Sequence, residues 1–160
     1  MIAKATVTRY VAVIGGTVTD AEADEEAERV GALLAEAGVV VVTGGREGIA
    51  AAASRGASDA GGLTVGILPS RDRAEANPWV HVAVPTGLGE LRNALVVMDA
   101  DAVIAFPGVY GTLIELGFAL HTGRPIVVVG DWPLASGIAV RRAASPDEAV
   151  ALALSTETNQ

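Results

Sequence analysis

The segment Phe106-Pro107-Gly108-Val109-Tyr110-Gly111-Thr112-Leu113-Ile114-Glu115 sets two glycines, a hydroxyl and a carboxylate between an apolar run and a helical pattern. A glycine-rich bend between a strand and a helix gathers exposed amide N–H groups at the positive end of the helix dipole, so it favours a phosphate or another anion. A second reading is open: Thr112 and Glu115 stand at capping-box spacing and could serve only the orphan amides of their own helix start. Glu115 is the only carboxylate of this loop.

Two further glycine bends follow apolar runs, Gly15-Gly16-Thr17 and Thr43-Gly44-Gly45-Arg46-Glu47-Gly48. Gly44, Gly45, Gly111 and Thr112 would supply amide and hydroxyl donors to a phosphorylated ligand, with Arg92 as the charged contact. The first bend lacks the third glycine of a dinucleotide fingerprint, and no acidic residue ends the second strand, so NAD is not the expected ligand.

Several chemistries are excluded by what the chain lacks. Its only lysine is Lys4, far from every glycine bend, which removes a P-loop and a pyridoxal-phosphate Schiff base. With no cysteine and two histidines, His81 and His121, neither a zinc site nor a Ser-His-Asp triad is expected, and no metal ligands are assigned. Net charge −8 argues against a nucleic-acid partner, because phosphate neutralisation needs clustered Lys and Arg. The acidic run from Asp20 to Glu28 reads as the solvated, dipole-favoured first turns of a helix.

The elements that must position these groups alternate along the chain. Short apolar runs predict strands at 11–14, 39–42, 63–68, 81–84, 102–106, 125–130 and 138–141. Helical spacing predicts helices at 20–37, 48–60, 88–98 and 112–121, with a last one opened by Ser145-Pro146. Leu88, Leu91, Leu95 and Met98 are expected to form the buried face of the third helix. Alternating elements, with strands apolar on both faces, predict an α/β, Rossmann-like, doubly wound, mostly parallel sheet flanked by helices on both faces. Ligands of such sheets bind at the carboxyl ends of the strands, where the strand order reverses.

The 160 residues suit a single domain, 1–154, followed by a polar tail, 155–160, expected to be disordered. Hydrophobic residues make up 51% of the chain, but no run approaches a membrane span, so the surplus apolar surface predicts a homo-oligomer, a dimer or tetramer, and no membrane. The first residues carry no signal-peptide pattern, and the cytoplasm is expected.

Thr43-Gly44-Gly45, Arg92 and Pro107-Gly108-x-x-Gly111-Thr112-x-x-Glu115 resemble, in this order, the motifs of the LOG-like superfamily. That group holds cytokinin-activating phosphoribohydrolases and molybdenum cofactor carrier proteins. The resemblance runs from about Val11 to Gly130 and implies that Arg92 and Glu115 match the hydrolases' catalytic arginine and glutamate. Asn93 stands where the hydrolases have lysine, and Val109 replaces a glycine of their motif. Pro85 to Asn93 looks more like the carrier branch, whose cargo is a phosphorylated pterin. The resemblance therefore implies a ligand site built from Gly15, Gly16, Thr43, Gly44, Gly45, Arg92, Asn93, Pro107, Gly108, Gly111, Thr112 and Glu115. It implies binding of a phosphorylated nucleotide- or pterin-like small molecule, with the molybdenum cofactor as cargo rather than a required cofactor. The alternative is hydrolysis of AMP or N6-substituted AMP to free base and ribose 5-phosphate.

Overall fold

The computed structural model describes residues 8–155. Seven strands form one sheet in the order β4-β3-β2-β1-β5-β6-β7: β1 (Tyr10–Ile14), β2 (Val40–Thr43), β3 (Thr64–Leu68), β4 (Val82–Pro85), β5 (Ala102–Ala105), β6 (Ile126–Val129) and β7 (Arg141–Ala143). Every pairing is parallel. Five helices connect or follow the strands: α1 (Ala21–Glu36), α2 (Ile49–Asp59), α3 (Asn93–Val97), α4 (Tyr110–His121) and α5 (Pro146–Leu154). The chain steps from β1 outward to β4 and then returns to β5 on the other side of β1. The order therefore reverses between β1 and β5, and a crevice opens there at the strands' carboxyl ends.

The period of two along β1 assigns the layers. Val11 and Val13 join a core with α1, α2 and α5, while Ala12 and Ile14 join a second core with α3 and α4. Parallel strands buried on both faces require such apolar runs, which is why β1, β2, β5 and β6 read as Val, Ile and Ala. Gly31 and Gly56 let α1 and α2 approach backbone to backbone. A Cβ on Gly31 would collide with the Ala53 carbonyl, and one on Gly56 with the Glu28 carbonyl.

Four sequence expectations are corrected here. The stretch 88–98 is a 3-10 turn over Gly89–Arg92 leading into the five-residue α3. Its leucine stripe faces outward: Leu91 is 73% exposed, and Leu88, Leu95 and Met98 are exposed as well. Asn93, Val96 and Val97 take the inner face instead. A stripe at helical spacing shows that one face is apolar, not which neighbour covers it. Helix α4 begins at Tyr110 rather than Thr112, so Thr112 lies inside its first turn and the capping-box reading fails. The last strand is Arg141–Ala143, not 138–141, and Ser155 is bonded to α5 through Ala151 and Leu152 rather than loose. Lys4 and residues 156–160, the rest of the expected tail, lie outside the described residues.

Candidate functional site

The three glycine bends meet at the reversal point. The bend after β1 and the bend after β5 are joined by the Gly16 amide, which donates to the Pro107 carbonyl at 3.1 Å. The bend after β2 is tied to the first by the Ile49 amide, which donates to the Gly16 carbonyl at 3.1 Å. Gly48, with φ +67°, makes that contact: a Cβ there would strike the Gly16 carbonyl.

Between the bends lies a cavity of about 200 Å³, lined by Gly15, Gly16, Gly44, Arg92, Asn93, Gly111, Thr112 and Glu115 from the sequence prediction. Thr43, Gly45, Pro107 and Gly108 stand behind its wall. The Gly45 amide donates to Thr43 Oγ1 at 3.0 Å, and a Cβ on Gly108 would collide with Thr112 Oγ1. These four shape the bends whose amides and side chains face the cavity. Arg46, Glu47 and Glu90 also line it. Arg46 and Glu47 were visible in the second bend. Nothing in its own pattern marked Glu90, which reaches the cavity only because the 3-10 turn carries it there with Arg92.

Two helices open on this cavity without side-chain caps. Helix α4 has Val109 as N-cap, and α2 has Gly48. The first backbone bond of α4 runs from the Leu113 amide to the Val109 carbonyl, so the Gly111 and Thr112 amides precede it and carry no partner within the helix. Neither first turn holds an acidic residue. The α4 end, and the α2 end beyond the Ile49 amide that Gly16 already accepts, are thus left for a ligand.

Arg92, at the end of the 3-10 turn, also lines the cavity. Its Nη1 donates to the Gly44 carbonyl at 3.1 Å and to the Ile67 carbonyl at 2.9 Å, which leaves Nε buried without a partner. A Cβ on Gly44 would collide with Arg92 Nη1 and displace the guanidinium from the Gly44 carbonyl. Burial lowers the Arg92 pKa, against the opposing pull of Glu115 and Glu90. The Glu115 carboxyl is 7% exposed, accepts no hydrogen bond among the described residues, and has its pKa pushed up to about 7. Burial is the main cause, partly offset by Arg92 and reinforced by Glu90. Asn93, 2% exposed, donates from Nδ2 to Glu90 Oε2 at 3.0 Å.

The remaining singled-out residues lie elsewhere. Asp20 caps α1 by accepting the Ala23 amide at 2.8 Å, which fits the solvated reading of the acidic run. His81 bonds Thr64 Oγ1 through Nδ1 at 2.8 Å, and His121 sits in the last turn of α4. Trp132 packs in the second core, and Trp79 lies under the Arg55 guanidinium. No group of three or more His, Asp or Glu suited to a metal occurs among the described residues. No helix among them is long and apolar enough to cross a membrane.

Residues 8–158 match the SLOG cluster4 family, and the chain belongs to it. It is 36% identical over 146 residues to an uncharacterised protein of Archaeoglobus fulgidus, a match that takes in 91% of this chain and 95% of that one. Its fold superposes on the molybdenum cofactor binding protein of Rippkaea orientalis with a TM-score of 0.86 and 35% identity, covering 92% of this chain and 96% of that one. It is likewise similar to the molybdenum cofactor carrier protein of Chlamydomonas reinhardtii, with a TM-score of 0.78 and 29% identity over 90% and 94% of the two chains.

Proposed function

Starting from membership of the SLOG cluster4 family, we propose that this protein binds a phosphorylated nucleotide- or pterin-like small molecule and carries it, with the molybdenum cofactor as cargo. The observation that carries the reading is the pair of uncapped helix ends facing one cavity that Arg92 also lines. Two positive helix ends and a guanidinium form an anion cradle built without lysine. The likeness to the Rippkaea orientalis and Chlamydomonas reinhardtii proteins supports the pterin class of cargo. A volume of about 200 Å³ falls below the ~300–1,000 Å³ typical of pockets that enclose a whole drug-sized ligand. The cavity therefore holds the phosphate and the group next to it, while the rest of the cargo extends past Val109, which is 70% exposed at the mouth. The acidic chain favours a small molecule over nucleic acid.

Thermal-shift titration with AMP, GMP and a phosphorylated pterin tests the reading. Stabilisation by at least one of them, lost in Arg92→Ala, is the expected result. No shift with any phosphorylated ligand would sink it.

A second reading, a phosphoribohydrolase of nucleoside 5′-monophosphates, is favoured by one observation: Glu115 lines the cavity instead of capping its helix. Incubation with AMP and N6-substituted AMP, with assay of free base and ribose 5-phosphate, separates the two. Turnover abolished by Glu115→Gln while binding persists would establish the hydrolase.

The carrier is further proposed to work as a homo-oligomer. Leu88, Leu91, Leu95 and Met98 lie beside exposed Leu113 and Ile114 of the adjoining α4, an apolar surface suited to a second copy of the chain. Mass measurement at micromolar concentration is expected to give a dimer or tetramer, and a clean monomer would remove this part.

A further inference from the structure

Glu115, Glu90 and Arg92 form a triangle in which the cation is turned away. Arg92 lies close enough to favour ionisation of Glu115, yet its Nη1 is committed to the Gly44 and Ile67 carbonyls, and it makes no ion pair with either glutamate among the described residues. Asn93 does the opposite for Glu90. Its buried amide fixes the Glu90 carboxylate on the cavity wall without adding positive charge. The point where a Cβ on Gly111 would stand lies 4.0 Å from both Asn93 Nδ2 and Glu90 Oε2. Gly111 and Glu115 are four residues apart on α4, one above the other on the same helix face. Glu90 is therefore held against the face from which Glu115 enters the cavity.

The other charged groups lining the cavity are Arg46 and Glu47, of opposite sign, both on the bend after β2. The bends after β1 and β5 bring none. A buried carboxyl with no donor in contact, a like charge fixed nearby and its cation diverted is disfavoured as an anion.

We propose that Glu115, buried with no donor in contact and with the Arg92 Nη1 committed to backbone carbonyls, stands in the cavity as a carboxylic acid and donates its proton in a hydrogen bond to the anionic ligand, with Asn93 as a positioning residue that fixes Glu90 beside it. This rests on reading the cavity as an anion site. A lysine at position 93 would instead insert a cation between the two glutamates and release Glu115 as a carboxylate. Such a carboxylate repels phosphate and is suited to activating water.

Carboxyl carbon NMR of the ligand-free protein labelled at glutamate reads the titration of Glu115 directly. It needs no ligand, so it can fail independently of the binding proposal. The Glu115 midpoint is expected near 7 in the unmodified chain. It is expected to fall in Asn93→Lys and, by a smaller step, in Glu90→Gln, since burial remains the main cause of the raised value. Because Asn93 is buried, failure of Asn93→Lys to fold leaves the decision to Glu90→Gln, an isosteric change at an exposed residue. A midpoint in the ordinary carboxylate range in the unmodified chain, or one unmoved by the folded variants, overturns the proposal. Sulfate, which does not titrate between pH 5 and 9, tests the donor role. Its affinity is expected to fall about tenfold per pH unit above the Glu115 midpoint, over a window that moves down in Glu90→Gln. Sulfate binding independent of pH, or absent at every pH, overturns the donor role.

Discussion

Helices α1 and α5 end differently from α2 and α4, although all four start just after a bend and pack against the same sheet. Asp20 caps α1 and Ser145 caps α5, each accepting an amide of the first turn, and both first turns carry acidic residues. Each has satisfied its own N-terminus. Helices α2 and α4 begin after Gly48 and Val109, neither of which offers a side-chain acceptor, and their first turns hold no carboxylate. An uncapped helix end loses about 1 kcal/mol of available stabilisation. Both such ends face the cavity, and both capped ends lie away from it. The chain forgoes stability where a ligand can supply the missing acceptors.

The largest expected effect concerns the group beneath the open end of α4. Glu115 has a folded-state pKa near 7 against an ordinary value of 4.5. Between these values the folded chain binds more protons than the unfolded one, so its stability falls as pH rises through that window. The full loss above pH 7 is on the order of 3 kcal/mol. Urea unfolding of the ligand-free protein at pH 5 and pH 8 should show this decline, and Glu115→Gln should flatten it. Equal slopes in both proteins would show that the carboxyl is not held as an acid.

Next in size is Arg92→Ala, which removes the guanidinium that lines the same cavity. A charge-assisted bond of about 1.5–3 kcal/mol corresponds to a tenfold to hundredfold weaker affinity for a phosphorylated ligand, measurable by calorimetry. Unchanged affinity would shift the site elsewhere.

Val109→Asp then turns an open end into a capped one. An aspartate at that N-cap should stabilise the ligand-free protein by about 0.5–1 kcal/mol and compete with the ligand for the α4 amides, weakening binding roughly tenfold. Higher melting temperature with undiminished binding would show that the α4 amides do not hold the ligand. The converse, Asp20→Ala, should cost about 1 kcal/mol of stability and leave ligand affinity untouched. A loss of affinity there would show that the capped helices also serve the site.

Local patterns carried most of the fold. The Val and Ile runs, the glycine bends after them and the Ser145-Pro146 helix start each depend on a few neighbouring residues. That is why the alternation of strands and helices, the parallel sheet and the three bends at its carboxyl edge could be read from the sequence. Arg92 and Glu115 were legible for the same reason, as chemistry-bearing types beside such bends.

What remained hidden depends on contacts between distant segments. Arg92 meets carbonyls 48 and 25 residues away, and these decide that its guanidinium braces the cavity wall instead of pairing with Glu115. Glu90 became part of the site through a 3-10 turn where helical periodicity predicted a regular helix. The same periodicity identified the stripe from Leu88 to Met98 but gave it the wrong side, since apolar spacing is equally satisfied by a sheet beneath it or by a second copy above. Whether Thr112 and Glu115 capped a helix or lined a cavity turned on a two-residue difference in where α4 begins, and only the packing of the β5 bend against Gly16 fixed that.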